Sequence, residues 1–313
     1  MIERKRELIP SLRDLSRPLV NTMPAAKPRF REIQESDIEA VADLLTRGFV
    51  HRSREYWMLG LRRQAARSLP PDAPRYGYLM DNDGKPVGCL LLIYSTKTID
   101  GEATICCNVS SWYVDPEFRN YAALFASMTQ KRKDVTYFNV TPALPTWPIL
   151  EAQGFHVYCR GLCFSLPALS PKGRNMHIEA VTPDTASIAG LSDDELTMLK
   201  RHAGYGCLSL VCRTVKETIP FIFFPLRKRR GIIPLPALQL GFCREIADYV
   251  RCAGAIGRYL LWRGRPIIIF NANGPMPGLI GLYSEARGRK YFKGPRQPRL
   301  GDLADTELAI FGM

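Results

Sequence analysis

The sequence predicts an α/β fold with a mixed sheet (α+β type) in its first half, and three observations carry the prediction. Ile38, Val41, Ala42, Leu44 and Leu45 recur at helical spacing. Runs rich in β-forming residues at 76–79 and 87–94 flank the turn Asp81-Asn82-Asp83-Gly84, and further runs follow at 103–114 and 135–140. Extended and helical segments then alternate as β-α-α-β-β-β-α-β-α-β, an order whose parallel neighbours need helical crossovers.

Each element has a local reason. Residues 1–28 are expected to form a mobile basic arm, because Pro10, Pro18, Pro24 and Pro28 interrupt any long helix. Residues 29–33 read as a strand. Ser36 is the expected N-cap of the first helix, with Glu39 completing a capping box. A second helix spans 57–66 and stops at Pro70-Pro71. After the hairpin and the strand at 103–114, residues 118–133 read as a helix and 147–153 as a shorter one with Gly154 as its C′ residue. The segment 155–164 is extended and closes a first domain of 29–166.

A break rich in Pro, Gly and Ser at 167–175 is the expected linker to a second domain, 176–313. Its elements repeat the scheme: a strand at 177–181, a helix at 184–201 and a hairpin of 207–213 with 219–226. An extended run at 232–242, a helix at 245–262 and a buried strand at 266–271 follow. Two tandem domains of one fold are the expectation, without a residue-level repeat.

Composition narrows the function. With 46% hydrophobic and 23% charged residues, the chain reads as a folded globular protein. No apolar run approaches the ~20 residues of a membrane span, and the N-terminus has no signal-peptide core, so a cytoplasmic location is expected. The nine cysteines fall mainly in apolar strand-like stretches without a CxxC pair, and the four histidines lie far apart. No metal site is expected, and the thiols read as small apolar residues. The net charge of +13 gathers in residues 1–31, in Arg227–Arg230 and in six basic residues from Arg287 to Arg299. Such clusters favour anionic partners, although a solvated basic face accounts for them equally well. Nucleic acid is the weaker partner, since neither zinc-finger spacing nor an aromatic-rich RNA-binding motif is present.

The segment Ser111-Trp112-Tyr113-Val114-Asp115-Pro116-Glu117-Phe118-Arg119-Asn120-Tyr121-Ala122 carries the chemistry. It reads as a strand, a V-x-P-x-x-R turn and the start of a helix. Amides in a first helical turn suit a pyrophosphate, and Arg119 at the mouth adds a charge-assisted contact.

This segment resembles the acyl-CoA-binding motif of the GNAT superfamily of N-acyltransferases, V-x-P-x-x-[RQ]-x-x-G-x-[GA], and Gly154-Phe155 resembles that family's closing G-F. The resemblance covers about residues 29–165. It implies acyl-CoA or acetyl-CoA as co-substrate, with no metal, and an amine-bearing acceptor. Trp112, Tyr113 and Val114 would then pair with the pantetheine arm, while Arg119, Asn120, Tyr121, Ala122, Ala123 and Leu124 would hold the pyrophosphate. Arg52, Arg54, Tyr56 and Trp57, after the first helix, would shape the acceptor site.

Departures from the pattern bear on mechanism. Ala122 and Leu124 stand where the family usually has glycine, and Leu150 stands where it often has a tyrosine acting as acid on the leaving thiolate. Ser110, Ser111, Tyr137, Thr141, His156 and Tyr158 remain as candidates near the cleft, each of them also an ordinary strand or packing residue. The catalytic residue is therefore unknown from sequence. The lost glycines point toward an unusual donor, such as a longer acyl chain or a thioester on an acidic acyl carrier protein, for which a basic surface is suited. A non-catalytic GNAT-fold binding or scaffold protein is the alternative, and a basic nucleic-acid-binding protein a more distant one.

Overall fold

A computed structural model describes residues 27–99, 101–171, 173, 175–226 and 236–312. The first elements follow the expected order: β1 (Arg29–Glu32), α1 (Ile38–Gly48), α2 (Arg54–Ala65), β2 (Gly77–Asn82), β3 (Lys85–Ile99), β4 (Glu102–Val114), α3 (Ala122–Met128), β5 (Val135–Asn139), α4 (Trp147–Ala152) and β6 (His156–Cys159). They continue as β7 (Gly161–Ser165), β8 (His177–Val181), α5 (Asp193–Gly204), β9 (Leu208–Arg213), β10 (Thr218–Pro225), β11 (Ala237–Phe242) and α6 (Ile246–Leu261). The last are β12 (Ile267–Ala272), β13 (Gly281–Ser284), β14 (Lys290–Lys293) and α7 (Glu307–Ile310). Most of the basic arm, and the cluster Arg227–Arg230, lie outside the described residues.

Local chemistry explains the boundaries. Asp83 and Gly84 take φ of 51° and 83°, and Gly84 N–H donates to Asp81 Oδ1 at 2.8 Å, which closes the β2–β3 hairpin. The cap of the first helix differs from expectation: a 3-10 turn over Glu35–Asp37 precedes α1, and Gln34 N–H donates to Asp37 Oδ2 at 2.8 Å. Ser36 is thus inside that turn. Ser53 caps α2, accepting from Tyr56 N–H at 3.3 Å, so the helix starts three residues earlier than its apolar pattern indicated.

The strands form two seven-stranded mixed sheets, β1-β2-β3-β4-β5-β14-β6 and β8-β9-β10-β11-β12-β7-β13. Read side by side, the two orders match position for position. Each sheet holds one parallel pair, β4 with β5 and β11 with β12, and each such pair is joined through a helix. The match is completed by exchange, because β7 follows β6 in sequence but pairs with β12, and β14 inserts between β5 and β6. The extended segment expected at 155–164 is corrected accordingly. It divides at Arg160 and serves both sheets, so the break at 167–175 does not separate one sheet from the other.

Helices α1 and α2 cover one face of the first sheet through Val41, Leu44, Leu45, Trp57 and Leu61, packed on Leu79, Cys89, Leu91 and Ile93. On the opposite face lie Phe125 of α3 and Leu150 of α4. A third cluster joins the sheets: Cys106, Phe138, Val140 and Tyr158 meet Leu199, Ile222, Phe224, Phe242 and Leu303. Helix α6 covers the outer face of the second sheet with Cys252, Ile256 and Leu260. Among the described residues, no helix is long and apolar enough to cross a membrane.

Candidate functional site

The site begins where two parallel strands part. β4 and β5 pair from Ile105–Val135 to Asn108–Phe138, after which β4 runs on alone to Val114. Against β3, Leu92 pairs with Val109 and Leu90 with Trp112, so Ser110 and Ser111 together oppose Leu91. This bulge bends β4 and re-aims its edge. On the other side, Thr141 N–H donates to Asn139 Oδ1 at 3.1 Å, and Pro142 blocks further strand pairing. A cleft of about 170 Å³ opens between the strands, walled by Val109, Ser111, Trp112, Ala126, Ile149 and Leu150. Its β4 wall is an unpaired strand edge, which offers backbone donors and acceptors to an extended polar chain.

Of the residues expected to hold the cofactor, Trp112 is the one that lines this opening. Val114 is buried, and the Tyr113 ring packs against Phe49. Arg119, Asn120, Ala123 and Leu124 are exposed, with Tyr121 and Ala122 half-buried. The helix expected over 118–133 is corrected. A 3-10 turn spans Pro116–Tyr121 and α3 has only seven residues, ending before Lys131 and Lys133. Phe118 N–H donates to Asp115 O and Ala122 N–H to Arg119 O. The turn is therefore closed on itself by i→i+3 bonds, which draw in amides that an anion would otherwise use. Leu124, at 53% exposure, points to solvent and not into the core.

The residues expected to hold an acceptor have other commitments. Arg54 Nε donates to Asp43 Oδ1 at 2.6 Å, and its Nη2 bonds Glu39, which ties α2 to α1. Trp57 is buried between Phe49 and Phe311. Tyr56 Oη donates to Gly312 O at 3.1 Å, and the Arg52 guanidinium lies 4.3 Å from the Tyr56 ring centre. Ile310 and Phe311 join Trp57 and Tyr56 in the same apolar cluster.

One catalytic candidate acquires a partner. Thr141 Oγ1 donates to Glu307 Oε1 at 2.6 Å, and Glu307 N–H donates to Asn108 Oδ1 at 2.9 Å. Glu307 thus sits at the residue pair where β4 and β5 separate. Its Oε2 is buried without a partner. Burial pushes its carboxyl above the usual range, against the opposing Thr141 bond. Tyr137 and Tyr158 are buried, and burial pushes the Tyr137 phenol up to about 12. Ser110 Oγ is buried and unpartnered, and His156 is exposed on β6. Leu150 supplies only apolar wall. Glu307 escaped the sequence reading because 166 positions separate it from Thr141, and nothing local marks it.

The matching position of the second sheet is closed. β11 and β12 pair only over Ala237–Gln239 with Ile267–Ile269, and beyond that the chain's own residues 300–303 enter the gap. Cys243 N–H donates to Gly301 O at 2.9 Å, Leu303 N–H to Gly241 O at 2.7 Å, and Asn271 Nδ2 to Leu300 O at 2.8 Å. The first sheet keeps its cleft open; the second fills it.

No family model and no curated protein matches the sequence. Solved structures do. A GCN5-related N-acetyltransferase from Anabaena variabilis aligns over 85% of this chain and 72% of its own, with a TM-score of 0.54 and 11% identity. Another from Kribbella flavida aligns over 86% of this chain and 72% of its own, with a TM-score of 0.53 and 11% identity. Given the bulged β4, the parting of β4 from β5 and these alignments, the chain has the fold of the GCN5-related N-acetyltransferases, the GNAT superfamily.

Proposed function

We propose that this chain is an acyltransferase that moves an acyl group from a CoA thioester to an amine in the cleft between β4 and β5. The observation that carries this reading is the free β4 edge beside the bulge at Ser110–Ser111, with Thr141 of the cleft wall hydrogen-bonded to the buried Glu307 carboxylate behind it. An extended pantetheine arm would pair with that edge and present the thioester carbonyl to backbone N–H groups, which stabilise the developing oxyanion. The amine nitrogen attacks the carbonyl carbon, the C–S bond breaks, and the nitrogen's proton passes by way of the Thr141 hydroxyl, which lines the cleft, to the Glu307 carboxylate that accepts from it. Leu150 offers no proton, so the departing thiolate takes one from solvent. Orientation of the two reactants supplies the remaining acceleration.

CoA suits the structure better than an acidic carrier protein as donor. Of the three basic clusters that would suit an acidic carrier, the one from Arg287 to Arg299 lies within the described residues and is largely engaged within the chain. Arg289 lies 4.2 Å from the Trp147 ring centre, Lys290 is buried and donates to Val140 O at 3.0 Å, Lys293 donates to Gln153 O at 2.8 Å, and Arg299 donates to Arg244 O at 2.8 Å. Arg296 bonds Glu102.

The test is to titrate the protein with acetyl-CoA, a long-chain acyl-CoA and free CoA while following the melting temperature, which a ligand of the folded state must raise. Thiol release in the presence of an amine panel then reads turnover. Ile149→Trp, on the cleft wall, should abolish the shift. Absence of any shift in the unsubstituted protein rejects the CoA reading, and binding without thiol release rejects the transferase.

A further inference from the structure

A second cavity, of about 800 Å³, lies between α5, the end of β3 and the segment 299–305. It is remote from the cleft along β4, because its β3 residues pair with β4 at 103–106 whereas the cleft begins at Val109. Its size is that of a small-molecule site, and its charge does not balance. Four cations, Arg67, Lys97, Arg201 and Arg299, converge on two carboxylates. Asp305 receives Arg67 at 2.7 Å and Arg201 at 3.0 Å, while Asp302 receives Lys97 at 2.6 Å and Arg299 at 3.5 Å. Arg244 and Glu195 form a closed pair at 2.6 Å, and Asp194 stands exposed at the rim. The inner wall therefore keeps two positive charges without counter-charge, and one remains after Asp194 is counted.

Such an excess is costly in a partly dry site unless an anion completes it. Donor capacity is also unspent. The Arg67 side chain is 6% exposed, and its Nε and Nη1, the Arg201 Nε and the Ser95 Oγ are buried without partners. β2 stops pairing with β3 at Gly77–Leu91, so the edge of β3 from Ser95 to Thr98 adds backbone N–H groups along the same wall.

We propose that this cavity binds a small multivalent anion carrying phosphate or carboxylate groups, at a site distinct from the acyl cleft. The guanidinium groups of Arg201 and Arg299, each about one-third exposed, are the arms that close on it. The intact chain is titrated calorimetrically with inorganic pyrophosphate and with citrate, at ionic strength held constant with chloride. One saturable site is expected, and the preferred probe tells phosphate from carboxylate chemistry. Arg201→Gln combined with Arg299→Gln should weaken binding at least about tenfold, the usual worth of a lost charge-assisted bond. Asp194→Asn, a change at the exposed rim, should strengthen it roughly threefold. Arg119→Ala, at the acyl-cleft turn, should change nothing. The proposal is overturned if neither probe saturates, if the arginine pair and Asp194 can be replaced without effect, or if Arg119→Ala alone removes the site.

Discussion

Replacing Asp305 by Asn removes one oxygen's charge and leaves the shape intact, so the consequence is electrostatic. Burial opposes ionisation of this carboxyl, yet Arg67, Lys97 and Arg201 together hold it well below the usual carboxylate range. Arg67 and Lys97 are nearly buried, with side-chain exposures of 6% and 11%. Removing the anion leaves the buried Arg67 guanidinium without its carboxylate partner, while Lys97 keeps Asp302 at 2.6 Å, a change that costs about 3–5 kcal/mol. At ~2.1 cal/mol/K per residue the unfolding entropy of 313 residues is roughly 0.66 kcal/mol/K, so the melting temperature should fall by about 5–8 °C at pH 7. The sign with pH is fixed. A depressed folded value contributes stability above the unfolded carboxyl value of ~3.9 and loses it as pH falls through the folded value. The gap between the two proteins should hold from pH 8 to 5 and shrink below about pH 4. Calorimetric melts across that range provide the assay. A fall of less than about 2 °C at pH 7 would show that solvent screens the cluster, and the reasoning would fail.

Glu307→Gln should lower kcat/KM for acyl transfer by about 10²–10⁴ while leaving thioester affinity unchanged. The rising limb of the pH–rate profile should vanish with it. Because burial raises this carboxyl, its ionisation opposes folding as pH climbs through the folded value, so the Gln protein should melt no lower than the parent at pH 7. Gly257→Ala should destabilise by about 2–3 kcal/mol, read by chemical denaturation. A Cβ on α6 there would lie 2.1 Å from Ala168 N and 2.3 Å from Pro167 C, backbone atoms that have little room to retreat.

Signals confined to a few neighbouring residues were legible in the sequence. The Asp81–Gly84 turn, the end of α4 at Gly154 and the V-x-P turn after β4 all depend on local dihedrals and hydrogen bonds, and all lie where the pattern put them. The long helix expected over 118–133 failed for a local reason too. Pro116 starts a 3-10 turn, and Thr129 turns its hydroxyl back to Ala126 O at 2.9 Å, where α3 ends. The rest depended on distance along the chain. β14 reads as a charged tetrapeptide, Lys-Tyr-Phe-Lys, yet it is an interior strand paired on both sides, with Lys290 buried and Tyr291 fully enclosed. Of the expected acceptor residues, Tyr56 and Trp57 pack against Phe311, a neighbour more than 250 positions away that no local pattern announces. Glu307 is invisible for the same reason: its neighbours Asn108 and Thr141 come from the other end of the sequence.

The exchange of β7 and β14 bears on whether the halves can live apart. A chain cut after residue 175 keeps β7 but loses its sheet partners β12 and β13, and it loses the strand that bridges β5 to β6. The fragment would expose unpaired edges on β5, β6 and β7, along with Phe138, Val140 and Tyr158, which are now covered by the second sheet. It would also lack Ile310 and Phe311 from the α1–α2 core. Each loss is of a kind that costs several kcal/mol, and a domain has only about 5–15 kcal/mol to lose. Fragment 29–175 should therefore be aggregated or molten, while the whole chain unfolds in one transition by circular dichroism and intrinsic fluorescence. A monomeric fragment with sharp cooperative melting would show that the sheets are independent and that the strand exchange contributes little to either.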